Sequence, residues 1–316
     1  MTAPRARTAG IARSSYARIT DDLIALLDAG VVPWRRPWTA RGPCNLVSRR
    51  PYRGINVLVL ACQGRPSPWW LTYRQAAALG GRIREGERGT QVVFWRVLDA
   101  EPAGAGGARR GVVLRTYTVF HESQCELPEG AVPPIAEGGP GIRSCEDVID
   151  TMPDPPHIVT GSDVACYLPV SDTVHVPRRA DFAQPEAYYA TLFHELAHAT
   201  GHPRRLHRSA LVTPAPFGSP DYSQEELVAE IASAFVCGAS GIAPATLGSS
   251  AEYIAGWLAA LRADRRLVVV AAGLAQRAAD LILGVGAPAD GPERPSARRG
   301  AGRARTAGQP TGRGRR

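Results

Sequence analysis

The chain has 316 residues, is 44% hydrophobic and 21% charged, and carries a net charge of +8. That length and composition exclude a disordered chain or a disulfide-stapled miniprotein and supply material for two cored domains. No apolar run reaches the ~20 residues that span a bilayer, so no membrane partner is expected. The six cysteines, Cys44, Cys62, Cys125, Cys145, Cys166 and Cys237, form no C-x-x-C pair, as expected of reduced thiols in a cytoplasmic protein. The Arg-rich start lacks the apolar core of a signal peptide.

The charge is unevenly spread. Residues 1–98 hold 16 Arg against 5 acids, residues 99–146 hold 4 against 7, residues 147–285 hold 9 against 15, and residues 286–316 hold 8 against 2. An anion-seeking front half is thus joined to an acidic back half.

Residues 1–14 read as a disordered basic lead-in. Ile19, Leu23, Ile24 and Leu27 recur at helical spacing and Gly30 follows them, which predicts a short amphipathic helix over residues 16–28. The run VVPWRRPW at 31–38 sets two indoles around two guanidiniums. A helix is expected over 57–61, a strand over 69–72, a short helix over 73–79, and strands over 91–98 and 112–120 around a Gly-rich tip. Residues 122–156, rich in Pro, Gly and acid, read as a linker with some order near 142–149. Short strands are expected within 157–177, then helices over 185–200, about 223–239, and 250–283 in one or two pieces. The apolar run 267–270 is flanked by Arg262, Asp264, Arg265, Arg266, Arg277 and Asp280, so it predicts a packed amphipathic helix rather than a membrane segment. The Gly/Pro/Ala/Arg stretch from 285 reads as a disordered Arg-rich tail.

The back half contains His194-Glu195-Leu196-Ala197-His198. On a helix, residues four apart share a face, so the two imidazoles converge as metal ligands. Glu195 projects beside them, placed to take a proton from a water that the metal polarises. Gln184-Pro185-Glu186 looks like a helix start, and Gly201 with Pro203 ends it. Two histidines hold zinc poorly, so a third ligand is expected. His202 lies too close behind the motif and beyond the helix breaker. Glu226 and Glu230, one turn apart on the next predicted helix, are the better source. Tyr188 or His175 could assist an oxyanion, and nothing in the sequence selects either.

The front half combines positive charge, aromatic residues beside arginines, and a charged turn over residues 82–89. Aromatic faces interleaved with cations suit single-stranded nucleic acid: bases stack at ~1–3 kcal/mol each while guanidiniums track phosphates. The candidate contacts are Trp34, Arg35, Arg36, Trp38, Tyr52, Arg53, Asn56, Arg84 and Arg88. At least two of Trp69, Trp70, Phe94 and Trp95 are expected in the core, because adjacent strand residues point to opposite faces.

Two resemblances rest on these stretches. YSQEELVAEIASAF following the His motif resembles zincins with a glutamate ligand. In those a Glu binds the metal and an acid one turn later orients a liganding histidine. This implies Glu226 as ligand and Glu230 behind a histidine, with the reverse assignment open. More broadly, VVPWRRPW, RPYRGINVLVL, WWLTYRQAAALGGRIREGERGTQVVFW and YTVF, followed by YYATLFHELAHATGHPRRLHR and AEYIAGWLAALRADRR, are similar to the ArdC antirestriction family. That resemblance implies an α+β chain: a small antiparallel-sheet ssDNA-binding domain at 15–121, a linker at 122–156, and a mainly helical zincin-like metallopeptidase domain at 157–284. It implies Zn2+ (with Mn2+ or Co2+ as alternatives), single-stranded DNA and an unknown protein substrate as partners, and protection of incoming mobile-element DNA from restriction. Two other expectations stay open: a pure ssDNA-binding protector with a structural metal, and a DNA-dependent repair or regulatory protease.

Overall fold

β-Branched and aromatic residues after Gly89 build the longest strand pairing among the described residues. The structure, a computed structural model, describes residues 4–35, 42–98, 111–135, 142–208, 220–242 and 251–286. Strand β4 (Thr90–Leu98) runs antiparallel to β5 (Gly111–His121), from Thr90 opposite Val119 to Leu98 opposite Gly111. The other edge of β5 takes β2 (Trp69–Thr72), which pairs in parallel with β1 (Cys44–Asn45), giving the order β1-β2-β5-β4. The expected Gly-rich tip of the β4–β5 hairpin lies outside the described residues.

Strand β4 is an edge, and its middle is closed by a side chain. Asn56, on helix α2 (Ile55–Ala61), donates through Nδ2 to Val93 O and accepts from Val93 N–H, both at 2.8 Å. The carboxamide imitates the next strand, so a backbone pair that would otherwise be buried without partners is satisfied. Asn56 itself is buried. Helix α2 follows Gly54 at φ 56°, a conformation in which a side chain is strained.

Helix α3 (Tyr73–Ala78) opens with a capping box. Thr72 Oγ1 accepts from Gln75 N–H, and Gln75 Oε1 accepts from Thr72 N–H. A two-stranded ladder joins β3 (Arg82–Ile83) to β6 (Cys125–Glu126). A Cβ on Gly81 would stand 2.5 Å from the Glu126 carbonyl oxygen, so that approach requires glycine.

The sequence expectations need three adjustments. Helix α1 extends over Pro4–Asp28, a dozen residues earlier than predicted; Ala and Arg are strong helix formers and proline suits a helix start. The stretch read as a linker carries β6 and helix α4 (Ile142–Thr151). The last helical region is two pieces, α7 (Ala251–Ala263) and α8 (Leu267–Ile282). They are separated where Asp264 Oδ1 accepts from Arg266 N–H at 2.9 Å, an Asp-initiated turn.

In the back half, β7 (His157–Thr160) runs parallel to β9 (Thr173–Val176), and β8 (Cys166–Leu168) pairs antiparallel on the far side of β9. Strand β8 is therefore an edge, and β8 and β9 both pack on helix α5 (Pro185–Ala199). Helix α6 (Pro220–Ser240) lies between α5 and α8. One hydrophobic cluster runs from Ile19, Leu23 and Trp34 through Val57, Leu58 and Val92 to Phe193, Val236 and Ala275. The two halves thus share a core. Polar ties cross the same junction: Arg53 pairs with Asp280, Gly54 N–H donates to Gln276 Oε1 at 2.9 Å, and Thr20 Oγ1 donates to Arg265 O at 2.6 Å. No helix among the described residues is long and apolar enough to cross a membrane.

Candidate functional site

Helix α5 begins with proline in its first turn and is buried at every position from Tyr188 to Ala199. A helix enclosed on all sides is expected to be apolar, yet this one encloses His194, Glu195 and His198. Buried imidazoles are unfavourable without partners, and theirs come from α6. Glu226 Oε2 is 3.6 Å from His194 Nε2, and its Oε1 is 3.5 Å from His198 Nε2. The two Nε2 atoms are 3.1 Å apart, with the rings nearly perpendicular.

These separations suit a cation. Ligands about 2.0–2.1 Å from a tetrahedral zinc stand about 3.3 Å from one another, and the three observed spacings of 3.1, 3.5 and 3.6 Å bracket that value. His194, His198 and Glu226 are the one group of potential metal ligands among the described residues, their donor atoms lying within 4.8 Å of one another. Three protein ligands leave a fourth position open, the arrangement of catalytic rather than closed structural sites.

A layer behind the ligands fixes them. His198 Nδ1 lies 3.3 Å from Glu225 Oε1. Glu225 receives a fork from Arg208, Nε to Oε2 at 2.9 Å and Nη2 to Oε1 at 2.6 Å. Tyr222, four residues before Glu226, donates its phenol to that carboxylate. The carboxylate at His198 Nδ1 is therefore that of Glu225. Glu230, the acid expected there from the zincin resemblance, stands one turn further along α6. Glu225 precedes Glu226 directly, about 100° around the helix, and that offset carries it to the side facing Arg208. His194 Nδ1 is buried without a hydrogen-bond partner among the described residues.

The electrostatics follow from this packing. Burial alone would depress the His198 pKa, but the hydrogen bond it donates to Glu225 and the charges of Glu226, Glu225 and Glu195 push it up to about 9. Burial opposes ionisation of Glu225 and Glu226 too. The hydrogen bonds from His198 and Arg208 outweigh it for Glu225, those from His194 and Tyr222 together with the His198 charge do so for Glu226, and both end below the usual carboxylate range. Without an ion the centre is a charge-paired cluster, and a cation competes with a proton for His198. Strand β8 brings Cys166 near Glu195; burial and the Glu195 charge together push its thiol pKa up.

The remaining motif residues lie elsewhere. His202 Nδ1 accepts from Arg204 N–H at 3.3 Å, and the residue is not among the clustered ligands. Tyr188 stacks edge-on between Phe182 and Tyr189. His175 sits opposite Cys166 on β9.

Comparison with known proteins places this geometry in a family. Residues 13–120 match the family model for the N-terminal domain of anti-restriction factor ArdC, and residues 152–274 match that for a zincin-like metallopeptidase. The antirestriction protein ArdC from plasmid R388, in a metal-free crystal structure, is 37% identical with a TM-score of 0.70, over 84% of this chain and 96% of that one. Its Mn(II)-bound structure gives 36% and 0.71, over 85% and 97%. The chain belongs to the ArdC antirestriction family. An uncharacterized protein y4eC of Sinorhizobium fredii is 37% identical over 286 residues, 84% of this chain and 90% of that protein. An Escherichia coli DNA primase TraC is 32% identical over 301 residues, 87% of this chain but 27% of TraC. The zincin-like domain implies a divalent metal, and the donor set described above fits one.

For this ArdC-family chain, the front half holds several expected DNA contacts in its interior. Trp34 is fully buried, its ring edge-on to Trp257 at 5.1 Å. Asn56 is committed to Val93, and Arg53 to Asp280. Tyr52 is buried against Phe94, with its hydroxyl 3.5 Å from Asn45 Nδ2. Arg84 is exposed and donates to Ser123 O at 2.7 Å, and Arg88 is exposed. Arg35 ends a short 3-10 helix, Pro33–Arg35, while Arg36 and Trp38 lie outside the described residues. Trp69 and Trp70 are both buried, because β2 is covered on each face: Trp70 joins the main core and Trp69 a smaller cluster with Leu46 and Leu71. The exposed aromatics are others. Phe94 on β4 is 44% exposed and Tyr117 on β5 is 42%, their rings edge-to-face at 5.6 Å. Arg115, exposed, stands directly opposite Phe94 in the ladder.

Proposed function

We propose that this chain protects incoming single-stranded DNA from restriction by joining an ssDNA grip on the β4–β5 face to a metal-dependent, peptidase-type hydrolytic site. The observation that carries the reading is the convergence of His194, His198 and Glu226 beside Glu195. Zn2+ fits the donor set best, with Mn2+ and Co2+ as alternatives. When bound, the ion would polarise a peptide carbonyl and lower the pKa of water at the site. Glu195 adjoins the ligands without belonging to their cluster, as a general base must. Its carboxylate accepts the proton of the attacking water and returns it to the leaving amine. A purely structural site needs ligands but no such base, and this favours a hydrolase over a metal-stabilised protector. Strand β8, an edge among the described residues and near Glu195, would offer an extended polypeptide its backbone groups. Buried free cysteines suit a cytoplasmic setting.

For DNA, the support shifts from the buried residues to Phe94, Tyr117 and Arg115, with Arg84 and Arg88 as phosphate contacts. Duplex DNA hides its base faces, so a stacking surface favours single strands. The test is fluorescence anisotropy with a labelled oligonucleotide. Phe94→Ala and Tyr117→Ala are each expected to weaken ssDNA binding by roughly 5- to 150-fold, the equivalent of ~1–3 kcal/mol per stacked base. Affinity should also fall steeply with salt. Parent-like binding by the Phe94→Ala/Tyr117→Ala double variant would remove this face from the interface.

A further inference from the structure

The metal ligands come from two helices, and a residue that is not a ligand locks those helices together. Arg208 follows the turn that ends α5, and its guanidinium is almost wholly buried. Besides the fork on Glu225, Nη1 donates to Thr200 Oγ1 at 2.7 Å and Nη2 to Ala197 O at 2.7 Å. These last groups belong to the C-terminal turn of α5, where carbonyls lack helical partners and a cation is favoured. Arg205 assists from the same turn, donating through Nε to Ala199 O at 2.7 Å. Arg208 therefore closes the end of the helix bearing His194 and His198 while gripping Glu225, the residue next to Glu226 on α6. Glu225 in turn accepts from His198 Nδ1–H, which turns Nε2 toward the ligand cluster.

We infer that Arg208 and Glu225 are positioning residues, a clasp that fixes the tautomer and direction of His198 and the spacing of α5 and α6, so that the metal centre is assembled before the ion arrives. This rests on the metal-centre reading above and adds to it: site competence depends on a fork remote from the ion. Arginine is required because its planar guanidinium satisfies both carboxylate oxygens and two helix-end acceptors at once, which an ammonium cannot do.

The test is Zn2+ affinity of the full chain, by competition with a chromophoric chelator, together with the visible absorption of the Co(II)-loaded protein. The melting temperature of the metal-free protein serves as the control for folding. Glu225→Gln and Arg208→Lys are each expected to weaken Zn2+ binding about 10- to 100-fold, the range for partners behind metal ligands, and to alter the Co(II) bands. Glu225→Asp, which keeps the charge, is expected to recover part of the loss. A merely structural role would lower the melting temperature and leave the affinity of folded protein and its Co(II) spectrum unchanged. That result overturns the inference. His198→Ala, measured in parallel, separates the two claims: if it binds Zn2+ like the parent, the metal centre itself is misassigned. Should Glu225→Gln fail to fold, Arg208→Lys gives the same decision.

Discussion

Replacing Glu195 with Gln is expected to lower peptide hydrolysis about 10²- to 10⁴-fold, the usual contribution of a positioned general base, while metal affinity stays within a few-fold of the parent. The two effects separate because Glu195 lies on α5 between the two histidines but outside the cluster formed by His194, His198 and Glu226. Gln fills the same volume, so the buried helix keeps its packing and only proton acceptance is lost. The assay is cleavage of a casein-type substrate, with and without ssDNA, beside a metal titration of the same preparations. Equal cleavage by parent and variant would show that Glu195 is not the base. If only the reactions containing ssDNA proceed, the DNA-dependent protease reading gains ground.

The second large effect concerns a residue whose sequence context suggests the wrong role. Trp34→Ala is expected to destabilise the fold by about 3–5 kcal/mol, the range for removing a buried large aromatic side chain. Folded Trp34→Ala protein should bind ssDNA with unchanged affinity. The ring is wholly enclosed and packs edge-to-face on Trp257 from the other half of the chain. Its indole N–H finds no hydrogen-bond partner among the described residues, so packing alone retains it. Denaturant unfolding monitors the first expectation and anisotropy the second. A stable variant that has lost ssDNA affinity would return Trp34 to the interface.

Trp34 also shows where sequence reasoning reaches its limit. In VVPWRRPW the juxtaposition of indole and guanidinium is visible, but the face each presents is set by α7, which arrives more than 200 residues later. Arg53 and Asn56 repeat the lesson: both carry the chemistry of nucleic-acid contacts, and both are taken up by partners on α8 and β4 that no local pattern announces. Periodicity, by contrast, depends on neighbours in the chain. The β4–β5 pairing, the short helix after Thr72 and the helix bearing His194 and His198 follow from spacing and turn residues near their predicted limits. Glu226 and Glu230 were legible together for the same reason, as acids one turn apart beside a buried helical stripe; only the zincin resemblance put Glu226 first. Glu225 was not, because its role depends on a fork from Arg208, which reaches it across the end of another helix. The signal that could have pointed to it was the arginine cluster just beyond the end of the His-bearing helix, Arg204, Arg205 and Arg208, any of which is a natural partner for a buried acid. Phe94 and Tyr117 were read only as strand residues; their exposure depends on which parts of the sheet other elements cover, which strand periodicity does not state.

The central claim is that two imidazoles from α5 and one carboxylate from α6 hold a divalent ion. Elemental analysis of the dialysed protein, parent against Glu226→Ala, tests it most directly. One equivalent of metal per chain in the parent and essentially none in the variant is the predicted result; the same metal content in both would contradict it.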